Sequence, residues 1–468
     1  MAPAASPARL WTEGRVGVYP EVDSGAAAFY RHSVTNLNER IDSYLHDQRI
    51  KPLLAGCYAG TSRQAILHRF AAVAGALLRK FPDVELEKLR FISTPGRSEL
   101  GGNHTDHNLG CVVAGSIELD ALAAVVPTGE NRIRLRSEGF DTLFDVDLSS
   151  LEPQKGEGGT QALIRGIAAR FQELGHRIGG FTAYVDSRVL PGSGMSSSAA
   201  IEVLLGTILS QLYNDGALGP VELAKIGQYA ENNYMGKPCG LMDQIACAHG
   251  GVVGIDFERA EEPEVTGIEV DLLSRGYRLA IVDTGGSHAD LTDAYAAVPT
   301  EMGAVARAFG KEHLRGLTME ALLQKTPELR EQVGDRAILR AIHFISENRR
   351  AQEQRDALAK GEVERFLTLA RESALSSWRF LQNCESPGDP GDQPLATGLA
   401  VAETMLQGRG VARVHGGGFA GTMQVFLPRE MEESFVEEME QLFGEGCVTL
   451  TGVRPLGTTA FPALEETT

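Results

Sequence analysis

Three clusters of small and polar residues on a glycine-broken backbone carry the chemistry in this chain. The stretch Leu190-Pro-Gly-Ser-Gly-Met-Ser-Ser-Ser-Ala-Ala200 packs two glycines and four hydroxyls into a turn that runs into the apolar Ile201-Glu-Val-Leu-Leu205. Pro191, Gly192 and Gly194 forbid regular structure there and allow the backbone to approach a ligand closely. The serines suit N-cap positions of the helix that follows. Outward-pointing amides with a helix dipole behind them make a phosphate cradle. Earlier in the chain, Thr94-Pro-Gly-Arg-Ser-Glu-Leu-Gly-Gly-Asn-His-Thr-Asp-His-Asn-Leu-Gly110 follows Arg97 with Asn103, His104, Asp106 and Asn108. Short donors and acceptors at that density suit a polyhydroxylated ligand, each hydroxyl of which needs both. The third cluster, Val414-His-Gly-Gly-Gly-Phe-Ala-Gly-Thr422, is a turn between apolar stretches.

Composition narrows the partners. The chain has 468 residues, 43% hydrophobic and 23% charged, and carries a formal net charge of -18. Its length suggests two or three domains, with ample material for a core. The acidic balance, with no concentrated Lys/Arg patch, argues against nucleic acid and anionic membranes. A polyanion must therefore be held in a local pocket of backbone amides or Mg²⁺. The six cysteines form no CxxC pair, which points to reduced thiols in a cytoplasmic protein. The first residues, Met1-Ala-Pro-Ala-Ala-Ser6, do not read as a secretion signal, and no apolar run approaches a membrane span. The sequon Asn103-His104-Thr105 should accordingly carry no glycan.

The elements that must position these clusters read as a mixed α+β chain. Helices are expected at Ser33 to His46, Ser62 to Phe81, Thr160 to Leu174 and, opened by Pro220, Val221 to Asn232. Another follows the serine turn, and residues 300 to 383 are mostly helical. Strands are expected at Val112 to Ala114, Leu122 to Val126, Phe181 to Val185, Gly250 to Ile255, Tyr277 to Val282, Val411 to Val414 and Met423 to Leu427. Ser386 to Pro394 is a loop by composition, and a domain boundary falls near 260 to 276, where Glu-rich sequence interrupts the apolar pattern.

In chain order the three clusters resemble the three motifs of the GHMP sugar and metabolite kinases, and the one at Thr94 to Gly110 is similar to the galactokinase signature in particular. Pro95-Gly-Arg…Gly102-Asn-His-Thr-Asp-His-Asn108 looks like a variant of Pro-Gly-Arg…Gly-Glu-His-Thr-Asp-Tyr-Asn. Ala230-Glu-Asn-Asn-Tyr-Met-Gly-Lys-Pro-Cys-Gly-Leu-Met-Asp-Gln244 is similar to the galactokinase stretch ending Cys-Gly-Ile-Met-Asp-Gln. The resemblance spans roughly residues 62 to 428. It implies two α+β domains with the active site in the cleft between them: residues 61–275 bearing the sugar and phosphate motifs, residues 276–468 closing the cleft, and 1–60 as an N-terminal extension. Two other motif matches lack their context. Gly416-x-Gly418-x-x-Gly421 fits a dinucleotide fingerprint without its βαβ setting, and Asp283-Thr-Gly285 has no second aspartic-protease copy.

The resemblance implies an ATP-dependent kinase acting on the C1 hydroxyl of galactose, with ATP and Mg²⁺ as cofactors. Asp243 matches the catalytic aspartate and Arg97 its partner. Gly192, Ser193, Gly194, Met195, Ser196, Ser197 and Ser198 would hold the phosphates, with Ser198 and Glu231 ligating Mg²⁺. Asn103, His104, Asp106, Gly240 and Tyr295 would face the sugar. Three positions depart from the pattern. Asn103 stands where the family carries a sugar-contacting glutamate, His107 where it carries tyrosine, and Glu99 replaces a typical asparagine. Alternatives are a kinase for N-acetylgalactosamine, arabinose or a uronic acid, and a non-catalytic sugar sensor. The intact Ser196-Ser-Ser-Ala-Ala200 favours catalysis. Ligand types alone also allow a metal at His104/Asp106/His107, though no further ligand cluster accompanies them.

Overall fold

The computed structural model describes residues 37–467, apart from 190–191, 193, 286–290 and 389. Its strands are β1 (Arg90–Gly101), β2 (Cys111–Pro127), β3 (Arg132–Ser137), β4 (Phe144–Asp147), β5 (Phe181–Ser187), β6 (Val252–Asp256), β7 (Glu264–Ile268), β8 (Tyr277–Asp283), β9 (Val411–Val414), β10 (Thr422–Pro428), β11 (Val448–Thr451) and β12 (Thr459–Ala460). The helices are α1 (37–45), α2 (Lys51–Cys57), α3 (Arg63–Lys80), α4 (Gly159–Glu173), α5 (Ser197–Tyr213), α6 (Pro220–Asn233), α7 (Met242–His249), α8 (Thr292–Ala308), α9 (Met319–Gln332), α10 (Asp335–Ala359), α11 (Val363–Ser376), α12 (Pro394–Leu406) and α13 (Glu432–Phe443).

Local chemistry sets most of these boundaries. Ser62 caps α3 by accepting from the Ala65 amide, and the stripe Ile66, Phe70, Val73, Leu77 is buried. Pro220 opens α6 as expected. Residues 33–36 of the first expected helix lie outside the described residues; the remainder is helical from 37 to 45. Two strands expected at Val112–Ala114 and Leu122–Val126 are instead one 17-residue strand. The segment between the two expected strands includes the polar Ser116 and Asp120. Both are buried with partners: Ser116 Oγ donates to Ala246 O at 2.7 Å, and Asp120 accepts from Tyr58 at 2.8 Å, from Arg69 and from Ser93. Strands β3 and β4, and everything from α13 onward, had no counterpart in the sequence reading.

The first sheet has the order β12-β1-β2-β5-β3-β4, with β6 on the other half of β2 and β7 beside β6; only β3 and β5 pair in parallel. Helices α4 to α6 pack on one face through Ile167, Phe171, Leu204, Ile208 and Ile226. On the other, α1 to α3 pack through Ile41, Tyr44 and Phe70 against Phe91 and Phe461. The described part of the N-terminal extension is thus built into the core, as is the C-terminal strand, which pairs with β1. The second sheet, β11-β8-β10-β9, is antiparallel and covered by α12 and α13. Helix α10 reaches between the sheets, its Phe344 in the core of α8 and α9.

Candidate active site

Strand β1 carries the first motif through two register shifts, between Pro95 and Arg97 and between Glu99 and Gly101. Bulges of this kind re-aim side chains. Arg97 reaches Asp243, in the first turn of α7, with both edges of its fork: Nε–Oδ1 2.7 Å and Nη2–Oδ2 2.8 Å. Its third nitrogen, Nη1, donates to Gly194 O at 2.6 Å, and its amide donates to Met195 O at 3.2 Å. Burial pushes the Asp243 carboxyl up, but the Arg97 charge and the hydrogen bonds from Arg97 and Ser196 outweigh it and hold the group below its ordinary value. A bidentate, partly desolvated pair keeps the carboxylate ionised and fixed in orientation.

The serine turn closes over this pair. Gly192 and Gly194 have φ of +78° and +71°, and a Cβ on Gly194 would meet Thr422 Oγ1 at 2.3 Å, so the serine turn and the third motif touch where only glycine fits. Ser193 lies outside the described residues. The expectation that these serines cap α5 needs correcting. Ser196 occupies the N-cap position with φ +59° and makes no side-chain cap bond, because its hydroxyl donates to Asp243. The first helical bond runs from Ala200 N to Ser196 O, so the amides of Ser197, Ser198 and Ala199 precede the ladder, the arrangement that binds an anion. Met195 is buried and supplies backbone rather than side chain.

The sugar-loop residues meet the third motif in sequence. Asn103 Nδ2 donates to Gly416 O (2.8 Å), His104 Nε2 to Gly417 O (2.9 Å) and Tyr295 Oη to Gly418 O (2.8 Å). Asn103 is fully buried, and its Oδ1 accepts from Asn383 at 2.9 Å and Ser377 at 3.3 Å. Its amide is thus engaged by protein at both ends. Burial lowers His104 to about 4, leaving a neutral ring whose Nε2–H is fixed by Gly417, and raises Tyr295 to about 12. Asp106 lies against Gly240: a Cβ there would come within 2.4 Å of Asp106 Oδ2. His107 is exposed, 3.8 Å from Asp106. The turn bearing Gly416, Gly418 and Gly421 joins two antiparallel strands, unlike a dinucleotide-binding βα turn, and Thr284 of the Asp-Thr-Gly run donates to Gly421 O.

Glu231 on α6 is buried and accepts from Lys237 Nζ at 2.9 Å and Gln244 Nε2 at 3.4 Å. Gln244 also donates to Glu202 at 2.9 Å, one helical turn beyond Ser198 on α5. Glu202 Oε1 is buried with no partner, and burial followed by the Glu231 charge raises its carboxyl to about 9. The Glu231 carboxylate is an anionic oxygen donor of the type a small hard cation takes, here neutralised by an ammonium and an amide. Among the described residues no group of three His, Cys, Asp or Glu is arranged to hold a metal, and of the His104/Asp106/His107 set His104 turns its Nε2 to Gly417 O. Sequence reasoning missed Glu202, Gln244, Arg413 and Asn383. Glu202 had a signal, being the lone acid on the apolar stretch Ile201 to Leu205.

A glycine–serine turn entering a helix, a part-buried Arg–Asp pair and a polar loop thus stand together on this fold. Residues 162–251 match the family model described as GHMP kinases N terminal domain, and residues 79–127 match the galactokinase galactose-binding signature. Lactococcus lactis galactokinase, solved with galactose, superposes with a TM-score of 0.71 at 24% identity, covering 84% of this chain and 99% of that one. Methanococcus jannaschii mevalonate kinase gives 0.56 at 15% identity (78% and 98%). A D-glycero-D-manno-heptose 1-phosphate kinase from Bacteriodes thetaiotaomicron gives 0.54 at 17% (80% and 99%). The two family-model matches are thus to the GHMP kinases, whose α+β fold this chain shares, and the match over residues 79–127 is to the galactokinase signature. Among the described residues no helix is long and apolar enough to cross a membrane.

Proposed function

We propose that this chain is a sugar kinase that transfers the γ-phosphoryl group of ATP to the C1 hydroxyl of galactose, with residues 61–275 and 276–468 supplying the bulk of the two lobes around the site and α1, α2 and β12 added to the first. The observation that carries the reading is the Arg97–Asp243 pair, whose third arm is on the phosphate turn. Phosphoryl transfer needs the phosphates held, charge offset, and the acceptor hydroxyl aimed. The amides of Gly194 to Ser198 hold the phosphates. Asp243, kept ionised by Arg97 and Ser196, accepts the hydroxyl proton and orients the oxygen. Arg97, already bonded to Gly194 O, offsets charge on the transferring group. His104, Asp106 with Gly240, and Tyr295 line the sugar side, and Asn103 organises the loop they stand on.

Ser198 and Glu231 are the residues that would hold Mg²⁺, which when bound supplies charge neutralisation to the phosphates. The test is ADP release from Mg-ATP against galactose, N-acetylgalactosamine, glucose, arabinose and galacturonate. Turnover strongest with galactose is expected. Turnover strongest with another sugar moves specificity to Asn103 and His107. Binding of ATP and sugar without turnover by any of them makes the chain a sensor.

A further inference from the structure

Arg413 lies at the centre of β9, fully buried, and its charged end meets one residue. Nη2 donates to the Glu99 carboxylate at 2.9 Å and Nη1 to the Glu99 carbonyl at 3.0 Å. Glu99 is buried on β1, two residues after Arg97, where the register shift turns it toward the second sheet. On its other side the same carboxylate accepts from Asn103 Nδ2 at 3.1 Å, and that nitrogen also donates to Gly416 O. Gly416 is three residues beyond Arg413, so the contacts close a ring: Arg413, Glu99, Asn103, Gly416. Gln424, on the strand leaving the turn, donates to the Glu99 carbonyl as well, at 2.9 Å. Both strands flanking the glycine turn are therefore tied to Glu99.

The carbonyls of Gly417 and Gly418 in that turn fix the donors of His104 and Tyr295. We infer that Arg413 and Glu99 are positioning residues for the sugar: neither touches it, but together they set the glycine turn, and through it His104 and Tyr295. The inference rests on the sugar-kinase reading above. It also accounts for the exchange seen in the sequence, where the amide stands at 103 and the acid at 99. The two side chains are hydrogen-bonded partners, so the exchange keeps one carboxylate and one amide opposite one guanidinium. Two carboxylates there would share a single buried cation, at a high cost.

The experiment compares the full chain with R413M, E99Q and E99Q/R413M. It measures galactose affinity by calorimetry without ATP, KM for galactose and for ATP, kcat, and Tm. Each single variant leaves a buried charge alone. Tm should fall, and the galactose Kd and KM should rise about tenfold or more, the loss expected for a charge-assisted hydrogen bond. KM for ATP should stay within about threefold, because the phosphate turn is held by Arg97. The double variant removes both charges and should recover Tm but not galactose affinity, since nothing then ties β9 to Glu99. Recovery of both together would make the pair merely structural and overturn the inference, as would unchanged galactose binding in the singles. Should a single variant fail to fold, R413K carries the same test: it keeps the charge but cannot span carboxylate and carbonyl. Absence of galactose binding by the parent chain would instead overturn the sugar reading itself.

Discussion

Replacing Asp243 by asparagine separates charge from shape at the proposed reaction centre. The carboxylate accepts three hydrogen bonds, from Arg97 Nε at 2.7 Å, Arg97 Nη2 at 2.8 Å and the Ser196 hydroxyl. An amide of the same outline keeps one oxygen and turns a donor toward a donor on the other side, so at least one charge-assisted bond is lost. Such bonds contribute about 1.5–3 kcal/mol. Asp243 is 31% exposed, which lets water compensate in part and places the stability loss at the lower end of that range. Catalysis should lose far more. Removing a positioned base costs about 10²–10⁴ in rate. Arg97 also grips Gly194 O, so ATP binding should weaken by no more than about tenfold, the scale of one such bond. The assay is ADP release at saturating galactose, paired with ATP titration and thermal unfolding of the same sample. A D243N enzyme retaining kcat within tenfold of the parent, with its fold intact, would remove Asp243 from the chemistry.

Gly240→Ala would place a methyl 2.4 Å from Asp106 Oδ2 and push that carboxylate aside. KM for galactose should rise about tenfold or more with KM for ATP unchanged, since small displacements of positioning groups are costly; an unaltered galactose KM would exclude Asp106 from the sugar site. Glu231→Gln should raise the Mg²⁺ concentration for half-maximal activity and weaken Mn²⁺ binding measured directly; identical metal titrations would dismiss Glu231 as a ligand. Acidification should destabilise the fold. Burial holds His104 down to about 4, His343 below its usual value and His415 well below it, while burial raises Glu99 to about 7. Below about pH 6.5 the unfolded chain binds imidazole protons that the folded chain resists, so stability falls as pH falls, offset in part by Glu99, which binds its proton more readily in the folded chain. His415→Asn should lessen that pH dependence in a series of unfolding curves, and a Tm that is flat from pH 7 to 5 would contradict the assignment.

Much of the site was legible because its parts are local. A positive-φ glycine, a serine run entering an apolar helix and a Pro-Gly-Arg turn are encoded within a few residues, and the helix bounds at Ser62 and Pro220 follow from caps and periodicity. Local signals also misled. β2 read as two separate strands and Ser196 as a cap, because the groups that engage Ser116, Asp120 and Ser196, namely Ala246, Tyr58 and Asp243, are distant in sequence. The order of motifs, the α+β pattern and the chemistry available to Arg97, Asp243 and the glycine turns are properties of the sequence by itself. The tertiary structure alone decided which buried charge meets which. Glu99 finds Arg413 more than three hundred residues away, and Glu202 faces Glu231 through Gln244. A buried charge is tolerable only beside its partner, and which partner is available depends on how the two sheets and α10 pack, which no short stretch of sequence records.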